Sequence, residues 1–254
     1  MHALTDAYFL DFDGTLADLV DDPDAAYAPP GFCGVLTSLS RACGGALAIV
    51  SGRPVACLDR RLPAGLWRVG GHGAEIAAPG EPAPPPRTLP DTLVEAARFL
   101  EQSYPGVRIE TKSTGLAVHF RAARHAESAC REALRRAVAA DHRFVLQEGK
   151  CVVEARPAGA DKGTALETLM RRAPFKGRRP LAIGDDVTDA AMMRAAKALG
   201  GEAFAVGADM ECARARFAAP VELRAWLACK LGPPARGPQP GPHPSLLGAA
   251  RGAL

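Results

Sequence analysis

The chain lacks the marks of several broad protein classes. Its cysteines, Cys33, Cys43, Cys57, Cys130, Cys151, Cys212 and Cys229, are odd in number and contain no CxxC or CxxxC pair, so neither a disulfide framework nor a zinc frame is expected. No apolar run approaches the ~20 residues that a membrane helix needs, and the opening MHALTDAYFLDFDG has no basic stretch followed by a long apolar one. Excess charge is missing too. The 31 Lys and Arg stand against 28 Asp and Glu, a formal net charge of +3 that gives no electrostatic reason for a nucleic-acid partner. The expectation is a soluble cytoplasmic protein with reduced cysteines, engaging neither nucleic acid nor membrane. What is present, 254 residues at 48% hydrophobic, suffices to bury a sizeable core. Nothing in the sequence sets the oligomeric state.

Apolar runs and helical spacings divide the chain. AYFL (7–10) and ALAIV (46–50) read as buried strands, and Phe32, Val35, Leu36, Leu39 and Cys43 lie between them at helical spacing, the pattern of a parallel sheet with a crossover helix. LWRVGG (66–71) adds a short strand. PGEPAPPPRTLP (79–90) has six prolines, which forbid regular structure and mark a linker. The pattern then changes and repeats. A helical segment around Leu93, Val94, Ala97 and Leu100 leads to VRIETK and GLAVHFR, and AESACREALRRAVAA leads to RFVLQ and CVVEAR, two αββ units that predict an inserted second layer. The first pattern resumes with DKGTALETLMRRA as a helix, PLAIG (180–184) as a strand, TDAAMMRAAKAL as a helix and AFAV (203–206) as a strand. The expected organisation is an α/β core over 1–84 and 158–231, an α/β insert over 85–157, and a disordered Pro/Gly-rich tail over 232–254.

In open parallel sheets, ligands sit beyond the carboxyl ends of the strands. After AYFL come Asp11 and Asp13; after ALAIV come Ser51, Gly52 and Arg53; after PLAIG come Asp185, Asp186 and Asp189, while Lys162 opens a helix. Alternation turns Asp11 and Asp13 to one side, where they repel unless a cation intervenes. With Asp185 they offer hard oxygen donors suited to Mg²⁺. A carboxylate can attack phosphorus while a second acid protonates the leaving oxygen and a lysine balances phosphate charge. That chemistry makes Asp11 the nucleophile, Asp13 the acid and later the base, Ser51 a phosphate donor and Lys162 the charge clamp. Each motif alone has a plainer reading: DxDG as a turn, SGRP and GDD as loops, a lone lysine as solvated. Their order, each at a strand or helix end, favours the chemical one.

DFDGTLADL, SGR, DKG and GDDVTD resemble, in this order, the four motifs of the haloacid dehalogenase-like (HAD) hydrolases. The resemblance implies a Rossmann-like core with a parallel sheet, a type C2 α/β cap of two αββ units, and Mg²⁺-dependent hydrolysis through an aspartyl-phosphate. It puts Asp11, the backbone carbonyl of Asp13 and Asp185 on the metal, with Asp186 and Asp189 behind them, and Ser51 and Lys162 on the phosphate. Gly52 and Arg53 count among the substrate-binding positions.

GGHGAE (70–75), IETKSTGLAVHFR (109–121) and GKCVVEARP (149–157) are similar to motifs of trehalose-6-phosphate phosphatases within that superfamily, over roughly residues 7–230. The implied substrate is a small sugar phosphate, with Glu110, Lys112 and Glu154 gripping the sugar distal to the phosphate. His119, Arg121 and His72 are further substrate-binding expectations, and Arg121 is expected to reach the phosphate or the core when the cap closes. On spacing alone, Glu110 and Lys112 also fit a solvated strand face. In the family, GDDxTD usually continues with Glu and later Phe; here Ala190 and Met193 stand instead, so a substrate or cap contact from that Glu is expected to be missing. Alternatives from the sequence are a phosphatase of the same cap type acting on sucrose-phosphate, mannosyl-phosphoglycerate or a hexose phosphate, and a silent, phosphate-binding or receiver-like regulator. Receiver modules are shorter and carry no insert.

Overall fold

The structure is a computed structural model that describes residues 4–20 and 22–232. The expected disordered tail lies outside the described residues from position 233 onward.

The larger layer is a seven-stranded sheet. Its strands are β1 (Asp6–Leu10), β2 (Leu47–Val50), β3 (Trp67–Gly70), β4 (Glu75–Ala77), β9 (Arg179–Gly184), β10 (Glu202–Val206) and β11 (Ala215–Phe217), in the order β11-β10-β9-β1-β2-β3-β4. All neighbours run parallel except β3 and β4. The central strands are short and, beyond the Asp6 and Arg179 that open β1 and β9, apolar because both faces are covered, which is why they appear as unbroken runs in the sequence. Phe9 aligns with Ala48 on one side and Ala182 on the other. Helices α1 (Phe32–Ala42), α2 (Val55–Asp59), α5 (Lys162–Met170), α6 (Ala190–Ala198) and α7 (Pro220–Cys229) complete this layer. The sheet order reverses at β1, since the chain runs outward through β2 and β3 and returns for β9 on the opposite side. That reversal opens a crevice beyond the carboxyl ends of β1, β2 and β9.

The second layer is a four-stranded antiparallel sheet of β5 (Arg108–Thr111), β6 (Leu116–His119), β7 (Phe144–Gly149) and β8 (Val152–Pro157), ordered β5-β6-β8-β7. Helices α3 (Asp91–Ser103) and α4 (Glu127–Ala139) supply Leu93, Leu100, Cys130 and Leu134 to a core shared with Leu116, Val118, Phe120, Val153 and Ala155. Alternation along the strands therefore turns Glu110, His119 and Glu154 to the uncovered face. The proline-rich segment before α3 has no regular structure, as its composition requires, and Arg87 ties it to the β5–β6 hairpin through a bond to the Ser113 carbonyl at 2.7 Å.

Four elements go beyond the sequence expectation: α2, β4, β11 and α7. The last two close the sheet edge through a cluster of Phe204, Phe217 and Trp226, with ring centroids 5.5 to 6.0 Å apart.

Candidate active site

Asp11 follows directly from β1, and its backbone N–H still donates to the Ile183 carbonyl of β9 at 2.9 Å. Its carboxylate meets the buried Lys162 ammonium at 2.7 Å, and the same ammonium donates to Asp189 at 2.6 Å. Lys162 stands in the first turn of α5, whose start is fixed by the Asp161 carboxylate accepting from the Thr164 N–H at 2.8 Å. A short helical turn over Val187–Asp189 brings Asp189 back beneath the strand end, where its second oxygen accepts from the N–H groups of Asp185 and Asp186 at 3.1 and 3.2 Å. Thr15 donates to Asp185 at 3.2 Å. Gly14 is required between them. Its φ of +74° is left-handed, and a Cβ there would fall 2.1 Å from an Asp185 oxygen.

Charge in this cluster is unbalanced. Burial pushes the Asp11 carboxyl well above the usual carboxylate range; the Lys162 charge opposes that shift and Asp189 adds to it. Asp185 is raised by burial and then by Asp189, against the bond from Thr15. Burial disfavours the Lys162 ammonium, yet the Asp11 and Asp189 carboxylates together outweigh it and raise its pKa above that of an ordinary lysine. Asp11, Asp185 and Asp189 can each turn one oxygen to within 4.8 Å of the others. The donors are all hard oxygens and bring more negative charge than one lysine offsets, so the set fits a small divalent cation such as Mg²⁺.

Sequence reasoning placed both Asp186 and Asp189 behind the metal. In the structure Asp189 is buried and belongs to the three-carboxylate cluster, whereas Asp186 is exposed and its side chain accepts from the Thr188 N–H at 2.7 Å. The helical turn inside GDDVTD causes the difference. The Asp13 carboxylate turns to Arg53, which grips it through two bonds of 2.6 and 2.7 Å. These bonds hold the guanidinium charged, with its pKa above the ordinary arginine value. The Ser51 hydroxyl oxygen accepts from the Arg53 N–H at 3.1 Å.

Asp11, Asp13, Ser51, Gly52, Arg53, His72, Lys162, Asp185, Asp186 and Asp189 line one cleft of about 470 Å³, together with Glu110 and Lys112 from the smaller layer. Glu154 lies one step back. It accepts from Lys112 at 2.6 Å and lines a small recess beside His72. His72 has φ 55°, rare for a residue with a side chain, and its ring would collide with any Cβ on Gly52. Burial, with help from the Lys162 charge, lowers the imidazole pKa.

Two expected residues stand elsewhere. His119 bonds to Glu110 at 2.8 Å, and with Arg121 it lines a second hollow of about 890 Å³ that also holds Arg108 and Asp22 and adjoins the cleft at Glu110, which lines both. Arg121, expected to reach the phosphate or the core when the cap closes, shares this hollow with Asp22 of the larger layer and does not line the acid-bearing cleft. Ala190 lines a third hollow, with Val187 and Arg194, and Met193 is buried with its sulfur 3.5 Å from that of Cys212. The departure from the family pattern thus falls outside the acid-bearing cleft. Sequence reasoning missed Thr15, and it placed Glu75 with His72 at the interface between the layers without seeing its bond to α2. Glu75 is buried and accepts from the Val55 N–H at 2.6 Å, joining GGHGAE to the turn that carries Ser51 and Arg53. The signal for Thr15 was its place in DGT.

Residues 9–216 match the family described as Trehalose-phosphatase. A Sinorhizobium fredii (strain NBRC 101917 / NGR234) protein named probable trehalose-phosphate phosphatase is 39% identical over 218 residues, covering 82% of this chain and 80% of its own. The trehalose-6-phosphate phosphatase of Escherichia coli (strain K12) is 34% identical over 225 residues, covering 87% and 85%. Among solved structures, the trehalose-6-phosphate phosphatase of Aspergillus fumigatus aligns with a TM-score of 0.65 at 26% identity, over 88% of this chain and 91% of that one.

Proposed function

The chain belongs to the trehalose-phosphatase family, and from that membership we propose that it hydrolyses trehalose 6-phosphate to trehalose and inorganic phosphate. The HAD-type core would supply the chemistry, and the insert over 85–157 would serve as the cap that selects the sugar. The observation that carries this reading is one cleft joining the Asp11–Lys162–Asp189 chain and Asp185 to Glu110 and Lys112 of the second layer.

In the proposed reaction, an Asp11 oxygen forms a bond to phosphorus as the bond from phosphorus to the sugar oxygen breaks, and Asp13 gives its proton to that oxygen. Water then attacks the aspartyl-phosphate and loses a proton to Asp13, so phosphate leaves and both acids are restored. Lys162 already contacts Asp11, which limits the nucleophile's rotation and puts positive charge where the phosphate oxygens would gather. Ser51 adds a hydroxyl donor on the neighbouring strand end. Arg53 holds Asp13 ready in one orientation and must share it during proton transfer. Asp11, Asp185, Asp189 and the Asp13 carbonyl are the groups that would hold Mg²⁺, which when bound neutralises phosphate charge and polarises phosphorus for attack.

Glu110 and Lys112 offer a carboxylate and an ammonium to the hydroxyls of a neutral sugar, with Glu154 setting the direction of Lys112. The deciding experiment is a panel of trehalose 6-phosphate, sucrose-phosphate, mannosyl-phosphoglycerate and glucose 6-phosphate, assayed with Mg²⁺ and again in excess chelator. Trehalose 6-phosphate is expected to be preferred, and activity to vanish with chelator and in Asp11→Asn. Equal rates on glucose 6-phosphate would overturn the substrate assignment, and full turnover without free metal would overturn the metal.

A further inference from the structure

Among the described residues that line the acid-bearing cleft, Leu19 and Val20 are the only branched aliphatic side chains. Both are strongly exposed, Leu19 at 73% and Val20 at 47%, although Leu16 and Ala17 just before them are fully buried. Neither lies in a helix or strand.

Their position is nonetheless fixed at its root. The Gly14 N–H donates to the Ala17 carbonyl at 2.8 Å, and the N–H groups of Leu16 and Ala17 both donate to the Phe12 carbonyl. From α7, Arg224 donates to the Leu16 carbonyl at 3.1 Å and to the two Asp18 oxygens at 3.2 and 3.4 Å. Asp18, which has no part in the chemistry, thus anchors the segment immediately before Leu19.

The rest of the lining is mostly charged, and small-molecule clefts generally pair apolar walls with a few placed polar groups. A hexose ring has hydroxyls around its edge and C–H groups on its faces. Ser51 and Lys162 claim the phosphate end, and Glu110 and Lys112 offer polar contacts to the hydroxyls. A C–H face would then be left without a partner unless the core side supplies an apolar one.

We propose that Leu19 and Val20 form an apolar shelf on the core side of the cleft, packing against the C–H face of the substrate's sugar and so helping to determine which phosphate esters are accepted. The proposal rests on the sugar-phosphate activity above and adds its core-side recognition element.

The test compares the wild type with the Leu19→Ser/Val20→Ser double variant, on trehalose 6-phosphate and on acetyl phosphate, which carries no ring. The ratio of the two kcat/KM values is expected to fall about tenfold in the double variant, mainly through KM for the sugar phosphate. Leu19→Met/Val20→Ile, which keeps the shelf apolar, should hold the ratio within about twofold of wild type. An unchanged ratio, or equal losses on both substrates, would overturn the shelf. Absence of wild-type turnover on trehalose 6-phosphate would instead overturn the activity on which it rests, so the two failures are distinguishable.

Discussion

Removing the Lys162 ammonium would leave the Asp11 and Asp189 carboxylates without their shared donor, in a space closed to water. Breaking a buried ion pair on one side typically costs about 3–5 kcal/mol, because the stranded charge stays buried. Lys162→Met is therefore expected to lose that much in urea unfolding with chelator present, and Asp189→Asn in the same chain should recover part of it. A loss below about 1 kcal/mol in the single variant would mean that the pair is not coupled as drawn. His72 gives a prediction of opposite chemistry. Its imidazole pKa is lowered by burial from 6.5, so the folded protein resists a proton that the unfolded chain accepts. The unfolded state binds more protons in that window, and stability must fall as pH drops below 6.5 through the folded-state value. Replacing His72 with Gln should flatten that acid-side fall, read as melting temperature against pH between 7 and 5. An unchanged slope would assign the acid sensitivity to other groups.

At the level of elements, the site depends on turns that hold neighbouring pieces at close range. Glu75 reaches from β4 to the first N–H of α2, and a Cβ on Gly70 would approach that N–H to 2.5 Å. Glu75→Ala would orphan a buried donor at a cost of about 1–3 kcal/mol and loosen the turn bearing Ser51 and Arg53. A lower kcat with partial rescue by Glu75→Gln, which keeps an acceptor, is the expected outcome; equal damage from Ala and Gln would implicate the charge instead. The same scale separates what the sequence could reveal from what it could not. β1, β2 and β9 were legible because burial on both faces makes them apolar runs, and the acids after β1 and β9, with Ser51 and Arg53 after β2, mark the crevice. The second layer was legible from its alternation and its helical spacings. β4 and β11 span three residues each, too few for any period to appear. α7 does carry a signal, Pro220 in its first turn and Leu223 and Leu227 four apart on its buried face. Arg121 sits in an alternating pattern that fixes its face, but the chain's turn beyond β6 decides which hollow it enters.

For the whole molecule, the central relation is between a core that carries the acids and a second layer that contributes Glu110 and Lys112 to the same cleft. The two layers have separate apolar cores, so changes on the uncovered face of the smaller sheet leave the packing of the larger one untouched. That separation makes the division of labour measurable. Lys112 is bound to Glu154 and Glu110 to His119, so each removal also frees a partner, but all four side chains keep access to water and no charge is stranded in the interior. Glu110→Ala with Lys112→Ala is therefore expected to fold with an unchanged melting temperature. Charge-assisted hydrogen bonds contribute about 1.5–3 kcal/mol each, so losing even one set to the sugar should reduce kcat/KM on trehalose 6-phosphate by about 100-fold. An aryl phosphate has no hydroxyls for these groups to hold and needs little protonation of its leaving oxygen. Its turnover draws on Asp11, Ser51 and Lys162 and should fall by no more than about threefold, well under 1 kcal/mol. Equal losses on both substrates would mean that the second layer supports the acids themselves, and its role in selecting the sugar would have to be abandoned.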